Sequence, residues 1–147
     1  MIAVDTNILV YAHRVEMQWH EEAARAVASL ASAPVAWAIP WPCIHEFLGV
    51  ATNGRIFSPP TPREQACAQV EIWMESPSLA LLGEEVGYWQ HLRGLLTAGK
   101  IAGAAVHDAR IAALCRHHGV SELWTADRDF SRFPGLTTRN PLIAGVR

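Results

Sequence analysis

The sequence is poor in net charge, which is only -2 over 147 residues. With an isoelectric point near 6.4, this excludes the global basic field that steers many proteins to nucleic acid. A polyanion bound here must be held by local arginines and metal ions. Cysteine is scarce and odd in number. Cys43, Cys67 and Cys115 show neither a CxxC spacing nor a zinc-ligand pattern, and read as buried thiols in a reducing cytosol. No basic leader precedes the first apolar run, and Asp5 interrupts it, which argues against a signal peptide. The uncharged stretch from Ala26 to Ile44 is long enough to span a bilayer, but Pro34, Pro40 and Pro42 break it and Ser29 and Ser32 dilute it. It is expected to be a helix end, a strand and a turn. Repeats, linkers and low-complexity segments are also lacking. Half of the residues are apolar, enough for one substantial core, so a single domain over residues 1–147 is expected.

What is present alternates. Short apolar or β-branched runs at Ile2 to Val4, Val35 to Ile39, Leu79 to Leu82, Glu122 to Ala126 and Leu136 to Thr138 predict strands. Between them, Trp19 to Leu30, Pro42 to Thr52, Glu84 to Ala98 and Ala104 to His118 predict helices, the last closed by Gly119. A further helix opens at Thr61-Pro62, with Thr61 as cap and Glu64 completing a capping box, and stops before Pro77. Such alternation implies a parallel sheet covered on both faces.

The acids carry the functional signal. All four aspartates, Asp5, Asp108, Asp127 and Asp129, lie beside apolar runs. Asp5 and Asp127 each follow a predicted strand, and open parallel sheets bind ligands beyond the carboxyl ends of their strands. Glu46 is the only formal charge between Arg25 and Arg55. Its same-face helix neighbours Cys43, Gly49 and Val50 predict partial burial. Asp108 sits early in its helix, over Ile111, Ala112 and Cys115. Each acid alone has a plain structural explanation, as a helix cap, a dipole partner or a turn former. Several carboxylates without matching buried lysines suggest instead a cation, since isolated buried charges are costly. Hard divalent ions take such oxygen ligands and activate water for in-line attack on phosphorus. The reaction inferred is phosphodiester hydrolysis.

Together, Asp5-Thr6-Asn7 after the first strand, Glu46 in a mid-chain helix, Val106-His107-Asp108-Ala109 opening a helix, and Trp124-Thr125-Ala126-Asp127-Arg128-Asp129-Phe130 resemble a PIN-domain ribonuclease, specifically the toxin of a VapBC-type toxin–antitoxin pair. The resemblance covers nearly the whole chain. It implies a three-layer α/β/α sandwich with a central parallel sheet, a cytoplasmic endoribonuclease dependent on magnesium or manganese, a homodimer, and a small VapB-type antitoxin partner. The RNA substrate is unspecified, with transfer and ribosomal RNA both candidates. The resemblance also makes Asp5 and Asp108 the main metal contacts, completed by Glu46 and Asp127, with the Thr125 hydroxyl helping to hold a ligand or water. Asn7, beside the first acid, reads either as orienting it by a hydrogen bond or as a turn residue. Asp127 ranks ahead of Asp129 as the last acid.

Two rival readings stand beside this one. A silent module would use the same acids only to seat a metal or a partner. A phosphatase of the haloacid-dehalogenase kind needs a second aspartate where Asn7 stands. His45-Glu46 lacks the histidine one turn later that a zinc motif requires, for Gly49 is there. His117 and His118 at a helix end are expected to meet the dipole rather than a metal. The six tryptophans read as core or interface. Arg14, Arg110, Arg128 and Arg132 are candidate phosphate contacts.

Overall fold

Ile2-Ala3-Val4 is too short and too β-branched for a helix, and it forms the central strand of the sheet. The computed structural model describes residues 1–143. Its five strands, β1 (Ile2–Val4), β2 (Trp37–Pro40), β3 (Leu79–Leu82), β4 (Glu122–Trp124) and β5 (Thr138–Arg139), lie in the order β3-β2-β1-β4-β5. Every pairing is parallel, with Val4 opposite Trp124 and Ala3 opposite Ala38. Six helices flank the sheet: α1 (Thr6–His13), α2 (His20–Ser32), α3 (Trp41–Ala51), α4 (Arg63–Met74), α5 (Tyr88–Gly99) and α6 (Ala105–His117). Successive strand residues point to opposite faces. All four residues of β2 are buried, as are Ala3 and Val4, so both faces are covered and the fold is the three-layer α/β/α sandwich.

The strand order reverses between β1 and β4, the topological switch point at which open α/β sheets present their ligand crevice. Asp5 follows β1 there, and its backbone N–H donates to the Trp124 carbonyl at 3.0 Å. Thr125 follows the neighbouring strand β4 at the same level. The stretch from Ala26 to Ile44 is the end of α2, β2 and the start of α3, and among the described residues no helix is long and apolar enough to cross a membrane.

Several boundaries differ from the sequence expectation. β2 begins at Trp37 rather than Val35, which is exposed after Pro34, and the last strand is Thr138–Arg139. Thr61 does not cap α4. Pro62 occupies the cap position without a side-chain bond, because the buried Thr61 hydroxyl is engaged by His13 Nε2 at 3.0 Å and Arg14 at 3.1 Å. α5 begins at Tyr88 rather than Glu84, since Gly87 takes a φ of 96° and releases Glu84 and Glu85 into a loop. Cys43 and Cys115 are buried as expected, but Cys67 is exposed.

Candidate active site

Asp5 is buried and caps α1. Its Oδ1 accepts the Thr6 N–H at 2.8 Å, and its Oδ2 accepts the Thr125 hydroxyl at 2.7 Å and Asn7 Nδ2 at 3.2 Å. The cap explanation and the site explanation are therefore both satisfied by one side chain. Thr125 Oγ1 in turn accepts from Asn7 Nδ2 at 3.2 Å and from the Asp127 N–H at 3.0 Å. Asn7 Oδ1 accepts the Ala126 N–H at 3.1 Å. The turn after β1 is thus laced to the turn after β4 by side chains from both.

Asp5, Glu46, Asp108 and Asp127, from four distant segments, line one cleft of about 270 Å³. Asp127 caps the short 3-10 helix Arg128–Arg132 through the Asp129 N–H at 2.8 Å. Asp129 is exposed, pairs with Arg132 at 3.6 Å and does not line the cleft, although its carboxylate lies within 4.8 Å of those of Asp108 and Asp127. Glu46 departs from expectation. It and Gly49 are exposed, because Cys43, Ile44 and Phe47 turn the buried side of α3 inward and leave Glu46 at the cleft's mouth.

None of the four cleft acids joins an ion pair among the described residues; the cations nearby are spent elsewhere. Arg14 pairs with Glu16, Arg110 with Glu84 and Arg132 with Asp129, leaving Arg128 as the one of the four candidate arginines without such a partner. Without an ion-pair partner, Asp5, Glu46 and Asp108 are shifted. Burial raises the Asp5 carboxyl above its ordinary value despite the hydrogen bonds that oppose it. Partial desolvation, then the charges of Asp5 and Asp108, raise Glu46. Desolvation, then the charge of Asp127, raises Asp108. A divalent cation fits this oxygen-only donor set. A further observation agrees: among the described residues the Thr6 hydroxyl, buried on the cleft wall, makes no well-formed hydrogen bond, although Glu46 and Cys43 are its neighbours, so an oxygen or an ion in the cleft would satisfy it.

Sequence reasoning named the acids but not their surroundings. Thr6 was visible only as the middle of the Asp5-Thr6-Asn7 motif, and the apolar wall of Tyr11, Met17, Ile56, Phe57 and Phe130 carries no local signal. Of the tryptophans, Trp37, Trp73 and Trp124 are core, whereas Trp89 is exposed.

Comparison with known proteins places this geometry. The PIN domain family model matches residues 2–136. Ribonuclease VapC48 of Mycobacterium tuberculosis is 31% identical over 93% of this chain and 94% of its own length. Ribonuclease VapC37 of the same organism is 32% identical over 96% and 97%. Among solved structures, VapBC2 from Rickettsia felis, bound to a promoter DNA fragment, superposes with a TM-score of 0.70 at 23% identity, covering 95% of this chain and 98% of that one. On the family match and the identity to these relatives, the chain belongs to the PIN-domain family, with the VapC ribonucleases as its kin.

Proposed function

We propose that this chain is a metal-dependent endoribonuclease acting as the toxin of a VapBC-type pair. The observation that carries the reading is the convergence of Asp5, Glu46, Asp108 and Asp127, none of them ion-paired, on one cleft at the switch point of the sheet. Magnesium or manganese would be held chiefly by Asp5 and Asp108, and when bound would lower the pKa of a water and neutralise charge on the scissile phosphate.

The chain's own residues do the rest. Thr125 and Asn7 direct donors at Asp5 Oδ2 and so keep it an acceptor. Asp127 has one oxygen engaged by the Asp129 N–H and the other free to face the cleft. Glu46 stands at the mouth with a raised affinity for protons, suited to taking the proton of the attacking water. Arg128, exposed and unpaired among the described residues, is available to a flanking phosphate. Tyr11 and Phe57 offer aromatic surface to an unstacked base. A VapB-type antitoxin is the partner this reading requires, and a homodimer its assembly state.

The direct test incubates the purified chain, free of antitoxin, with total cellular RNA, with and without a chelator. Discrete fragments that vanish on chelation are expected. Their absence from every RNA would overturn the reading in favour of a silent binding module. A finer expectation concerns Thr125. Thr125→Val removes the hydroxyl that holds Asp5 at nearly constant volume, and should lower cleavage about 10–100-fold, whereas Thr125→Ser should retain most of it. Equal rates for the two variants would dismiss the positioning role.

A further inference from the structure

His117 and His118 end α6, where histidines ordinarily meet the last carbonyls of the helix. Here that end is closed by the backbone itself: Gly119, at φ 70°, donates to Arg116 O at 3.3 Å and Val120 to Cys115 O at 2.9 Å. The imidazoles turn instead to the loop between β3 and α5. His118 Nε2 lies 2.9 Å from the Gly83 carbonyl. A carbonyl only accepts, so Nε2 carries the hydrogen and the lone pair of a neutral His118 resides on Nδ1. That Nδ1 is 4.0 Å from Glu85 Oε1, and His117 Nε2 is 3.0 Å from the same oxygen. Two imidazole nitrogens on roughly perpendicular rings, at 89°, therefore flank one carboxylate.

We propose that Glu85, His117 and His118 form a zinc-binding site, separate from the acidic cleft, that pins the β3–α5 loop to the carboxyl end of α6. Their ligand atoms lie within 4.8 Å of one another. Tetrahedral zinc needs about 3.3 Å between its ligands, which asks for small rotations of the two imidazoles together with a shift of the exposed Glu85 side chain. The contact from His118 to the Gly83 carbonyl is the outer hydrogen bond that fixes the tautomer of a metal-bound histidine. Both imidazoles are largely shielded while Glu85 is open to solvent, which gives an ion a way in. The loop is seated on the histidines: a Cβ at Gly87 would meet His117 Cε1 at 3.3 Å. The ring of His91, on α5, lies 5.4 Å from that of His117 and is a further imidazole for a fourth position otherwise left to water. The donor sets also separate the two sites chemically. Nitrogen with one carboxylate suits zinc, whereas the cleft offers only oxygen and suits magnesium.

Calorimetric titration of the metal-stripped full chain with zinc, in excess magnesium, tests this. One zinc per chain is expected, in Asp108→Asn as in the unaltered protein, with binding lost in His118→Ala. Glu85→Gln changes an exposed side chain and keeps the fold, and should weaken binding by about tenfold or more. Cobalt in place of zinc should give the visible absorption of a tetrahedral site, and that signal should be absent from His117→Ala. No zinc uptake in excess magnesium, or equal uptake by the unaltered protein and the histidine and Glu85 variants, would overturn the proposal and leave an ion pair at a helix end.

Discussion

Asp108→Asn and Asp5→Asn should both stop RNA cleavage, yet move stability in different directions. Each removes an oxygen ligand and a negative charge from the cleft, so each should cost well over about 10²-fold in rate, beyond the loss expected for a merely supporting residue. The metal-free proteins should nevertheless differ. Asp108 makes no side-chain hydrogen bond among the described residues, and desolvation and Asp127 hold its carboxyl above the ordinary value. Neutralising it relieves repulsion and breaks nothing. Because the group is substantially solvated the relief is small, a rise in Tm of on the order of 1–3 °C. Asp5 is locked by its partners. Thr125 Oγ1 already accepts from Asn7 and from the Asp127 N–H, so its own proton must go to Asp5 Oδ2. Oδ1 meanwhile accepts the Thr6 N–H. Either orientation of an asparagine amide sets its NH2 against one of these donors, at about 1–3 kcal/mol, which offsets the relief of charge. Asp5→Asn should therefore melt at or below the parent temperature. Cleavage assays in magnesium and melting curves in chelator read the two effects separately. Substantial residual cleavage by either variant would remove that residue from the metal set, and a less stable Asp108→Asn would contradict the repulsion.

Much of this site was legible because strand ends are legible. Asp5 and Asp127 follow short apolar runs, and a parallel sheet brings the ends of such runs to one edge whatever the details of packing. Glu46 was found by a weaker inference. As a lone charge it was expected to be partly buried, whereas it stands exposed at the cleft mouth. It reaches the cleft because Cys43 and Phe47 anchor α3 inward, a rotation set by tertiary contacts and not by the charge pattern. The ambiguity between Asp127 and Asp129 also lay beyond the sequence. The 3-10 turn sets Asp127 on the cleft and Asp129 beside Arg132, and keeps both carboxylates within 4.8 Å of that of Asp108. The expected cap at Thr61 failed for a related reason, since two residues of α1 and its end, far away in the chain, compete for its hydroxyl. Local patterns announce a polar group but not which distant partner claims it. Glu85 shows the same limit: it reads as a helical residue, and its place beside His117 and His118 depends on the left-handed turn at Gly87.

Magnesium should stabilise the protein most where the metal-free chain is weakest. Asp5 and Asp108 are raised above an ordinary 3.8, and Glu46 above an ordinary 4.5. Below those values both folded and unfolded states hold the protons and the three groups contribute nothing to pH dependence. As pH rises past them the unfolded chain ionises first and binds fewer protons than the native state, so these carboxyls lower stability until they too ionise in the fold. The loss is complete above the folded pKa values. Burial and mutual repulsion are its causes, and an ion held between the carboxylates counters both. At about a hundredfold excess over its dissociation constant, magnesium adds about 2.7 kcal/mol, or roughly 5–10 °C in a chain of this size. Binding requires the ionised acids, so the increment should grow as pH rises through and above the ordinary carboxylate range. Melting curves across this range, with magnesium or with chelator, should diverge as pH rises. In chelator the unaltered protein should lose stability with pH relative to Asp108→Asn. A magnesium shift of equal size in Asp108→Asn, or one that shrinks towards neutral pH, would show that the cleft acids do not hold the ion.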